Sequence, residues 1–371
     1  IAIDNTDAFD RLRDIADYFL IHDRDIYLRS DDSVLRIVDS KQRFLRRSRG
    51  YVPAPIFLKN RLKPILACGA ELKNTVCLTR ETHAFLSQHI GDLENLATYE
   101  FFEMTIAHLK RILSIEPEVI AHDMHPDYLS TRYATEQSRM VKIDVQHHHA
   151  HLVSCMAENH VEDPVIGLAF DGTGYGSDGG LWGGEVLIAR LDSFERAAHL
   201  AYTPMPGGAA AIKEPWRMAV AYLYGAYGKD FVNRRLPFLD KLNASKRNIM
   251  VEMMEKGINS PRTSSLGRFF DGIAAILGIR SHVAFEGQAA MELEMLAETS
   301  ANDIYEYAWS SEEPIQIDVR PIVTGVVGDI ERSVPLSTVS GKFHDTLMAM
   351  FTDLCQVIGK KTGLSQVALS G

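Results

Sequence analysis

The chain has 371 residues and a formal net charge of −10 at pH 7, which argues against non-specific binding to nucleic acid. Its 46% hydrophobic and 24% charged residues are typical of a globular protein with two or three domains. The four cysteines form no C-x-x-C pair, and neither a signal peptide nor a membrane-length apolar stretch is present, so we expect a reduced, cytoplasmic protein.

Residues 1–50 differ from the rest of the chain. Apolar residues at helical spacing predict a helix over 7–20, and the pattern at 22–36 predicts two short strands around a charged turn. The arginine-rich segment at 43–49 is either a solvated linker or, because Ser and Gly separate some arginines, an anion-binding segment. Two prolines predict that residues 51–62 form a linker.

From residue 64 onwards strands and helices alternate, which predicts an α/β protein with mixed sheets. The predicted strands lie at 65–73, 74–78, 118–123, 165–170, 181–190 and 367–369. The predicted helices lie at 100–112, 147–159, 210–224, 266–277, 288–298 and 342–358. Two predicted hairpins, at 65–78 and 165–190, share an apolar strand, a glycine-containing turn and a second strand, which suggests a duplicated lobe.

A histidine cluster, Val-Gln-His-His-His-Ala-His at 145–151, is the strongest chemical signal. On a helix His147 and His151 lie at i and i+4, so both imidazoles project from one face and suit a divalent metal. His148 with His151 is a second possible pair. The alternative is a solvated or pH-responsive surface cluster.

The segment Asp171-Gly-Thr-Gly-Tyr-Gly176 follows an apolar strand pattern. Asp171 is either a third metal ligand or a turn-forming residue, and the nearby histidine helix favours a ligand. Glycines leave backbone N–H groups accessible to phosphate, so Gly172, Gly174 and Gly176 are candidate nucleotide contacts.

Two further candidate positions each have a structural alternative. Lys73 and Asn74, in the first hairpin, are positioned to approach a phosphate, whereas the alternative for Lys73 is an exposed turn lysine. Glu286, followed by Gly287, either holds a ribose or merely caps a helix.

Several motifs together resemble the HypF carbamoyltransferases of NiFe-hydrogenase maturation, along essentially the whole chain. They are Arg46-Arg-Ser-Arg-Gly-Tyr-Val-Pro53, His125-Pro-Asp-Tyr-Leu-Ser-Thr131, His147-His-His-Ala-His151, Asp171-Gly-Thr-Gly-Tyr-Gly176, Leu181-Trp-Gly-Gly-Glu185, Glu214-Pro-Trp-Arg217 and Phe285-Glu-Gly-Gln288. The resemblance implies a two-lobed, actin-like and sugar-kinase-like (ASKHA) TsaD-type domain over 63–371, C-terminally incomplete. It also implies that residues 1–50 are the tail of a YrdC-like α/β domain, so we expect a fragment of a longer protein.

The resemblance implies an activity as well. The YrdC-like domain of such proteins makes carbamoyl-adenylate from carbamoyl phosphate and ATP, and the TsaD-like domain passes the carbamoyl group to the C-terminal cysteine of HypE. The thiocarboxamide so formed is a precursor of the cyanide ligands of the iron centre. A protein partner and small-molecule substrates are therefore expected, with no nucleic acid and no membrane.

By similarity, His147, His151 and Asp171 are expected to bind one divalent metal, iron or zinc, with a further Asp ligand beyond Gly371. Gly371 resembles the start of a Ser-Gly-Gly nucleotide loop, and Gly183 and Gly184 join the expected nucleotide-binding residues. Lys73 is expected to hold the phosphate during the reaction, which is a positioning and electrostatic role.

Four other functions stay open as alternatives. A tRNA threonylcarbamoyl transferase shares the His-x-x-x-His pattern, but the acidic balance and the Leu181-Trp-Gly-Gly-Glu185 motif disfavour it. A small-molecule O-carbamoyltransferase would use a different acceptor, and a sugar-kinase-like ATPase would transfer phosphate to a sugar hydroxyl. A non-catalytic scaffold would bind metal and no nucleotide.

Overall fold

The computed structural model describes residues 2–298 and 303–371, which form two compact units that divide between Val145 and Gln146. We call them the N-terminal unit and the C-terminal unit and describe each by itself. Within the described residues, none of the helices has both the length and the apolar character needed to cross a membrane. Strands and helices alternate in both units, as the α/β prediction requires.

The N-terminal unit contains a small hairpin and a five-stranded sheet of order β3-β5-β4-β6-β7. The hairpin strands are β1 (Val34–Val38) and β2 (Lys41–Arg46). The sheet strands are β3 (Ile56–Leu62), β4 (Ile65–Ala67), β5 (Cys77–Leu86), β6 (Val119–Asp123) and β7 (Val141–Val145). The helices are α1 (Asn5–Leu12), α2 (Leu96–Leu113) and α3 (Leu129–Glu136).

Helix α2 supplies much of the core of this unit. It begins where the side chain of Asn95 accepts a hydrogen bond from the backbone N–H of Thr98, and it ends at Ser114 in the left-handed conformation. Its buried residues recur at helical spacing, and they pack with residues of the sheet such as Leu66 and Ile120. This packing fixes the strands that carry the turn after β4.

Three predictions for the first 62 residues are wrong. The first helix ends at Leu12 rather than at Leu20, and no strand forms at 22–33. Residues 56–62 are not a linker but strand β3, in which Ile56 pairs with Ala84 of β5. The prolines precede the strand, where a missing backbone N–H removes no ladder hydrogen bond.

The arginine-rich segment is largely engaged with protein groups. Arg46 lies 3.8 Å from Asp31, and Arg49 lies 3.5 Å from Asp32. The guanidinium of Arg47 donates to the carbonyl oxygens of Tyr51 and Ala54. These contacts, together with strand β2, give the segment a structural role in the N-terminal unit that differs from both the solvated-linker and the anion-binding interpretation.

The C-terminal unit is built on an eight-stranded mixed sheet of order β11-β12-β9-β10-β14-β13, with β8 beside β9 and β15 beside β8. The strands are β8 (Val165–Tyr175), β9 (Leu181–Ala189), β10 (Phe194–Leu200), β11 (Thr203–Pro204), β12 (Arg262–Thr263), β13 (Ala308–Trp309), β14 (Ile315–Asp318) and β15 (Val367–Ser370). The helices are α4 (His147–Glu158), α5 (Ala210–Lys213), α6 (Trp216–Tyr227), α7 (Pro237–Lys241), α8 (Ala244–Lys256), α9 (Leu266–Ile276), α10 (Gln288–Leu296), α11 (Arg320–Glu331) and α12 (Leu336–Thr362).

Strand β8 has neighbours on both sides, antiparallel β9 and parallel β15, and its first five residues are all buried. This explains why its sequence reads as a continuous apolar run rather than as an alternating one. Helix α4 packs across it so closely that a side chain at Gly167 would overlap Leu152. Strand β8 therefore holds the histidine helix over the sheet.

Several predicted elements differ in extent. The strand predicted over 65–73 ends at Ala67, the strand predicted over 74–78 runs instead from Cys77 to Leu86, and α12 extends beyond both ends of the helix predicted over 342–358. The predicted helix over 210–224 is interrupted at Glu214 and Pro215, because proline cannot donate the hydrogen bond that a continuous helix needs there. The predicted strand at 165–170 continues to Tyr175, so Gly172 and Gly174 lie inside β8 and not in a loop. Only residues 176–180 connect β8 to β9.

Candidate metal centre

The histidine helix begins at the first histidine of the cluster. Gln146 caps α4: its side-chain oxygen accepts the backbone N–H of His149 at 2.9 Å, and its amide donates to the carbonyl of Tyr175 at 3.1 Å. One side chain thus starts the helix and ties it to the end of β8. The predicted helix over 147–159 is confirmed.

His147, His151 and Asp171 come together where α4 passes the end of the apolar part of β8. The Nε2 atoms of His147 and His151 lie 3.2 Å apart, and they lie 3.1 and 3.9 Å from Oδ2 of Asp171. One ligand atom from each residue falls within 4.8 Å of the others. The two histidines and the aspartate expected as ligands are therefore neighbours.

The other two histidines of the cluster have different surroundings. His148 is fully buried, with Nδ1 3.3 Å from the amide nitrogen of Gln146. His149 lies on the outside of the helix, and its Nε2 is 2.7 Å from the carbonyl oxygen of Arg190. The alternative pair of His148 with His151 is therefore not the one that meets Asp171.

The pKa values of this site favour a charged carboxylate and a neutral buried imidazole. Burial by itself raises the pKa of Asp171, but the hydrogen bond from His147 and the charges of the three histidines outweigh it and lower the pKa to about 2. Burial, together with the charge of His147, lowers the pKa of His148 to about 3. An ionised carboxylate is the form that binds a metal ion.

The distances fit a metal ion. Nitrogen and oxygen ligands lie roughly 2.1 Å from zinc, so two ligands in tetrahedral geometry are separated by about 3.4 Å. The three observed separations bracket that value. Two imidazoles with one carboxylate suit iron as well as zinc. Asp171 fits the predicted ligand role, and it also accepts the backbone N–H of Gly172 at 2.6 Å, as a turn-forming residue does.

Helix α9 begins against the same stretch of β8. The hydroxyl of Ser265, which caps α9, lies 2.9 and 2.6 Å from the carbonyl oxygens of Asp171 and Gly172. On the other side, Ser370 of β15 pairs with Ala169, so Gly371 lies beside Phe170. The carboxyl end of β15 and the N-terminus of α9 thus lie beside the part of β8 that carries Asp171.

Four of the glycines expected to contact a nucleotide also have a packing role. A side chain on Gly174 would collide with His148 and lie 2.9 Å from Cδ2 of His147, and one on Gly176 would overlap Trp182. Gly183 lies against the backbone of Asp171, and Gly184 against that of Ser264. Gly172 differs, because a side-chain carbon there would meet only Arg268, at 3.5 Å.

The remaining candidates belong to other structural elements. Lys73 is exposed in the turn between β4 and β5 and has a left-handed backbone, with φ of 48°. Asn74 is buried, and its amide donates to the carbonyl oxygens of Cys68 and Ala70. Glu286 and Gly287 immediately precede α10, and Gly287 is the residue at its N-terminal cap.

Sequence reasoning missed three residues that shape the centre: Gln146, Ser265 and Arg268. A serine before an apolar helical pattern signals a cap, and that signal was present at Ser265. A single arginine in the apolar segment Leu266-Gly-Arg-Phe-Phe-Asp-Gly-Ile marked Arg268. Nothing local in the sequence indicated that Gln146 would also reach Tyr175.

Family models match most of the chain. Residues 60–158 match the HypF Kae1-like domain, and residues 167–371 match the second subdomain of the carbamoyltransferase Kae1-like domain. The two matches cover the histidine helix and Asp171, respectively.

Individual relatives agree. The chain is 41% identical to the carbamoyltransferase HypF of Synechocystis sp., covering 100% of this chain and 50% of the relative. It is 40% identical to that of Rhizobium leguminosarum bv. viciae, covering 100% and 47%. The chain spans about half the length of these curated relatives.

Solved structures share the fold. A crystal structure of full-length HypF in a phosphate- and nucleotide-bound form matches with a TM-score of 0.95 at 44% identity, covering 100% of this chain and 58% of that one. The HypF of T. kodakarensis matches with a TM-score of 0.90 at 36% identity, covering 100% and 49%.

Proposed function

Because the chain belongs to the HypF carbamoyltransferase family, we propose that it performs carbamoyl transfer at the centre formed by His147, His151 and Asp171. The donor is carbamoyl-adenylate, which the whole protein makes from carbamoyl phosphate and ATP with release of pyrophosphate. The acceptor is the C-terminal cysteine of HypE, and the product serves cyanide-ligand synthesis in hydrogenase maturation. The observation that carries the proposal is the closeness of these three side chains where α4 passes over β8.

In the transfer, the cysteine sulfur bonds to the carbamoyl carbon, the thiol gives up its proton, and AMP leaves with the electron pair of the broken C–O bond. Negative charge grows on the carbonyl oxygen and on the departing phosphate. A divalent metal held by His147, His151 and Asp171 supplies positive charge to offset it. The low pKa of Asp171 keeps that carboxylate ionised and able to bind the metal near neutral pH.

The remaining site residues have supporting roles in this proposal. Lys73 holds the phosphate end of the donor, and Asn74 shapes the turn that presents Lys73 through its two backbone hydrogen bonds. Gly172 leaves room beside Asp171 for the donor, and Glu286 with Gly287 contacts its ribose. The phosphate- and nucleotide-bound form of a solved relative supports a donor of this kind.

The proposed domain organisation follows the family. Residues 1–50 are the end of a YrdC-like adenylating domain, and the TsaD-like, Kae1-like region begins near residue 60, where the first family match starts. The partner is HypE, and no nucleic acid or membrane takes part. Four cysteines without a disulfide are consistent with a cytoplasmic setting.

The test is a comparison of metal content and carbamoyl transfer between the chain and two variants. In the His147→Ala, His151→Ala double variant we expect bound iron or zinc to disappear, because two of three ligands are removed. The matched control is His149→Ala, which alters the same helix but not the centre, and which should keep its metal. Elemental analysis measures the first result.

Carbamoyl transfer is followed by AMP release from carbamoyl-adenylate in the presence of a peptide that ends in cysteine. We expect release in the wild type and in His149→Ala, and loss of it in the double variant. Equal metal content in the wild type and the double variant would refute the ligand assignment. Metal-dependent AMP release without a carbamoylated peptide would refute the acceptor.

A further inference from the structure

The N-terminus of helix α9 packs beside the part of β8 that carries Asp171, and it also makes the electrostatic potential there more positive. Its N-terminus rests directly on Gly172, since a side chain on Gly267 would lie 2.9 Å from the Cα of Gly172. The first N–H groups of a helix have no partner within the helix and carry partial positive charge. This end of α9 is therefore electrostatically suited to an anion beside Asp171.

A buried arginine lies in the first turn of the same helix. Arg268 is only 4% exposed, and its Nη2 lies 3.0 Å from Oδ2 of the equally buried Asp271. Its Nε and Nη1 atoms are buried without a hydrogen-bond partner among the described residues. Burying guanidinium donors without acceptors is costly, and Nε2 of His148 is another buried polar atom beside the centre that has no partner among the described residues.

The Nη2 end of the guanidinium, which pairs with Asp271 through one N–H and has a second N–H to donate, lies near Gly172. A side-chain carbon at Gly172 would approach Nη2 of Arg268 to 3.5 Å and would meet no other atom within 4 Å. Gly172 directly follows Asp171 in β8, so this space also lies near Asp171. A group occupying it would be within reach of the guanidinium and next to the proposed metal ligand.

We propose that Arg268 is an anion-binding residue of this centre and that it receives a phosphate oxygen of the ligand beside Gly172. The guanidinium offers several N–H donors in a planar fork, a geometry that matches a phosphate better than a single ammonium does. The helix N-terminus adds to the attraction. The inference rests on the proposed function, because it assigns the phosphate of that donor to a named residue.

The charges around Gly172 predict that phosphate binding depends on a bound metal ion. Asp271 already balances the charge of Arg268, and the carboxylate of Asp171 repels an anion placed next to it. A metal ion at the centre reverses that repulsion. Phosphate should therefore bind more tightly to metal-loaded protein than to chelator-treated protein, and Arg268 should matter in both states.

Inorganic phosphate and AMP are the probes, titrated by calorimetry into wild type, Arg268→Gln, Arg268→Lys and Asp271→Asn, with zinc and with a chelator. Loss of a charge-assisted hydrogen-bond donor predicts roughly 10- to 100-fold weaker binding in Arg268→Gln. Arg268→Lys keeps the charge and loses the fork, so its affinity should lie between the two. Metal content should stay at the wild-type level in all variants, because Arg268 is not a ligand.

Asp271→Asn is the matched control, since it breaks the same buried pair from the other side. If the Arg268–Asp271 ion pair has only a structural role, substitution of either residue should weaken phosphate binding to the same extent. We expect Asp271→Asn to bind phosphate at least as well as wild type, although thermal unfolding should show both variants to be less stable. Arg268→Lys decides the matter if Arg268→Gln does not fold.

Three results would overturn the inference: no phosphate or AMP binding by wild type in either state, equal affinity in wild type and the Arg268 variants, or equal loss in Asp271→Asn. A wild type that binds phosphate through Arg268 but holds no metal would instead refute the proposed metal centre. The two failures are therefore distinguishable.

Discussion

The two hairpins that the sequence marks as similar have the same topology and different chemistry. In each, the first strand has an antiparallel neighbour that follows it in the chain and a parallel neighbour on its other side: β5 and β6 for β4, β9 and β15 for β8. In the turn after β4, the amide of Asn74 donates hydrogen bonds to the carbonyl oxygens of Cys68 and Ala70. Within β8, just after its apolar run, the carboxylate of Asp171 lies next to two imidazoles.

The difference separates a turn that is stabilised by a buried amide from a part of β8 where two imidazoles and a carboxylate lie close together. Asn74 satisfies backbone acceptors, so its loss should affect folding first. The side chains of His147, His151 and Asp171 bring ionisable groups together at a cost that a bound cation would offset. Substitutions at the two sites should therefore separate stability from metal binding.

The largest effect is expected at Gly174, because a side chain there would overlap His148 and crowd His147. Gly174→Ala should displace the histidines, eliminate bound metal and destabilise the C-terminal unit by about 3 kcal/mol. Elemental analysis and thermal unfolding measure the two effects. The control is Gly225→Ala in α6, where no atom lies within 4 Å of the new carbon.

Gly225→Ala should keep its metal and be neutral or more stable by up to about 1 kcal/mol, since alanine is the better helix former. Retention of full metal content in Gly174→Ala would contradict the packing argument and would mean that α4 moves away from β8 without losing its ligand geometry.

The second prediction concerns the other hairpin. Asn74→Ala removes the donor to two carbonyl oxygens in a buried turn, so we expect a loss of about 2 kcal/mol in the stability of the N-terminal unit. Metal content should not change, because Asn74 provides no ligand. Urea unfolding and elemental analysis on the same sample test both parts; loss of metal without loss of stability would reverse the comparison between the hairpins.

Local spacing was sufficient to predict part of the candidate centre. An i, i+4 pair on one helix depends on backbone geometry alone, so the closeness of His147 and His151 was predictable. The apolar run before Asp171 predicted a strand there, but not that β8 continues past Asp171 to Tyr175. The position of Arg268 beside Gly172 was not predictable, because it depends on α9 packing onto a residue that is 96 positions earlier in the sequence.

The glycines show the same limit of prediction from local sequence. Sequence alone does not distinguish a glycine that admits a phosphate from one that admits a neighbouring side chain, and Gly174 and Gly176 have the second property. Strand β3 was missed for a related reason: its pairing partner β5 lies about twenty residues further along the chain, whereas its two preceding prolines are a strong local signal for a linker.

The third prediction uses the buried imidazole beside the centre. The pKa of His148 falls from 6.5 to about 3 on folding, because burial disfavours its charged form. Between those values the unfolded chain binds the proton and the folded one does not. His148 therefore contributes stability that is complete above pH 6.5 and is lost as the pH falls towards 3.

In chelator-treated protein this contribution should add a slope of up to about 1.4 kcal/mol per pH unit over that range. His148→Gln removes the titrating group and should flatten the curve of unfolding free energy against pH, whereas Gly225→Ala in α6, which removes no titrating group, should leave it unchanged. An identical slope in wild type and His148→Gln would show that other groups dominate the acid sensitivity.

The smallest effect is expected at Lys73, which decides whether the turn after β4 also serves a ligand. Lys73 has a left-handed backbone that glycine adopts without steric cost, so Lys73→Gly should be more stable by up to about 1 kcal/mol, with unchanged metal content. If Lys73 also holds the donor phosphate, the same variant should release AMP more slowly from carbamoyl-adenylate despite its greater stability. A more stable variant with full activity would show that Lys73 is only an exposed turn residue. The first hairpin would then have a structural role alone, whereas the second carries the proposed metal ligand Asp171.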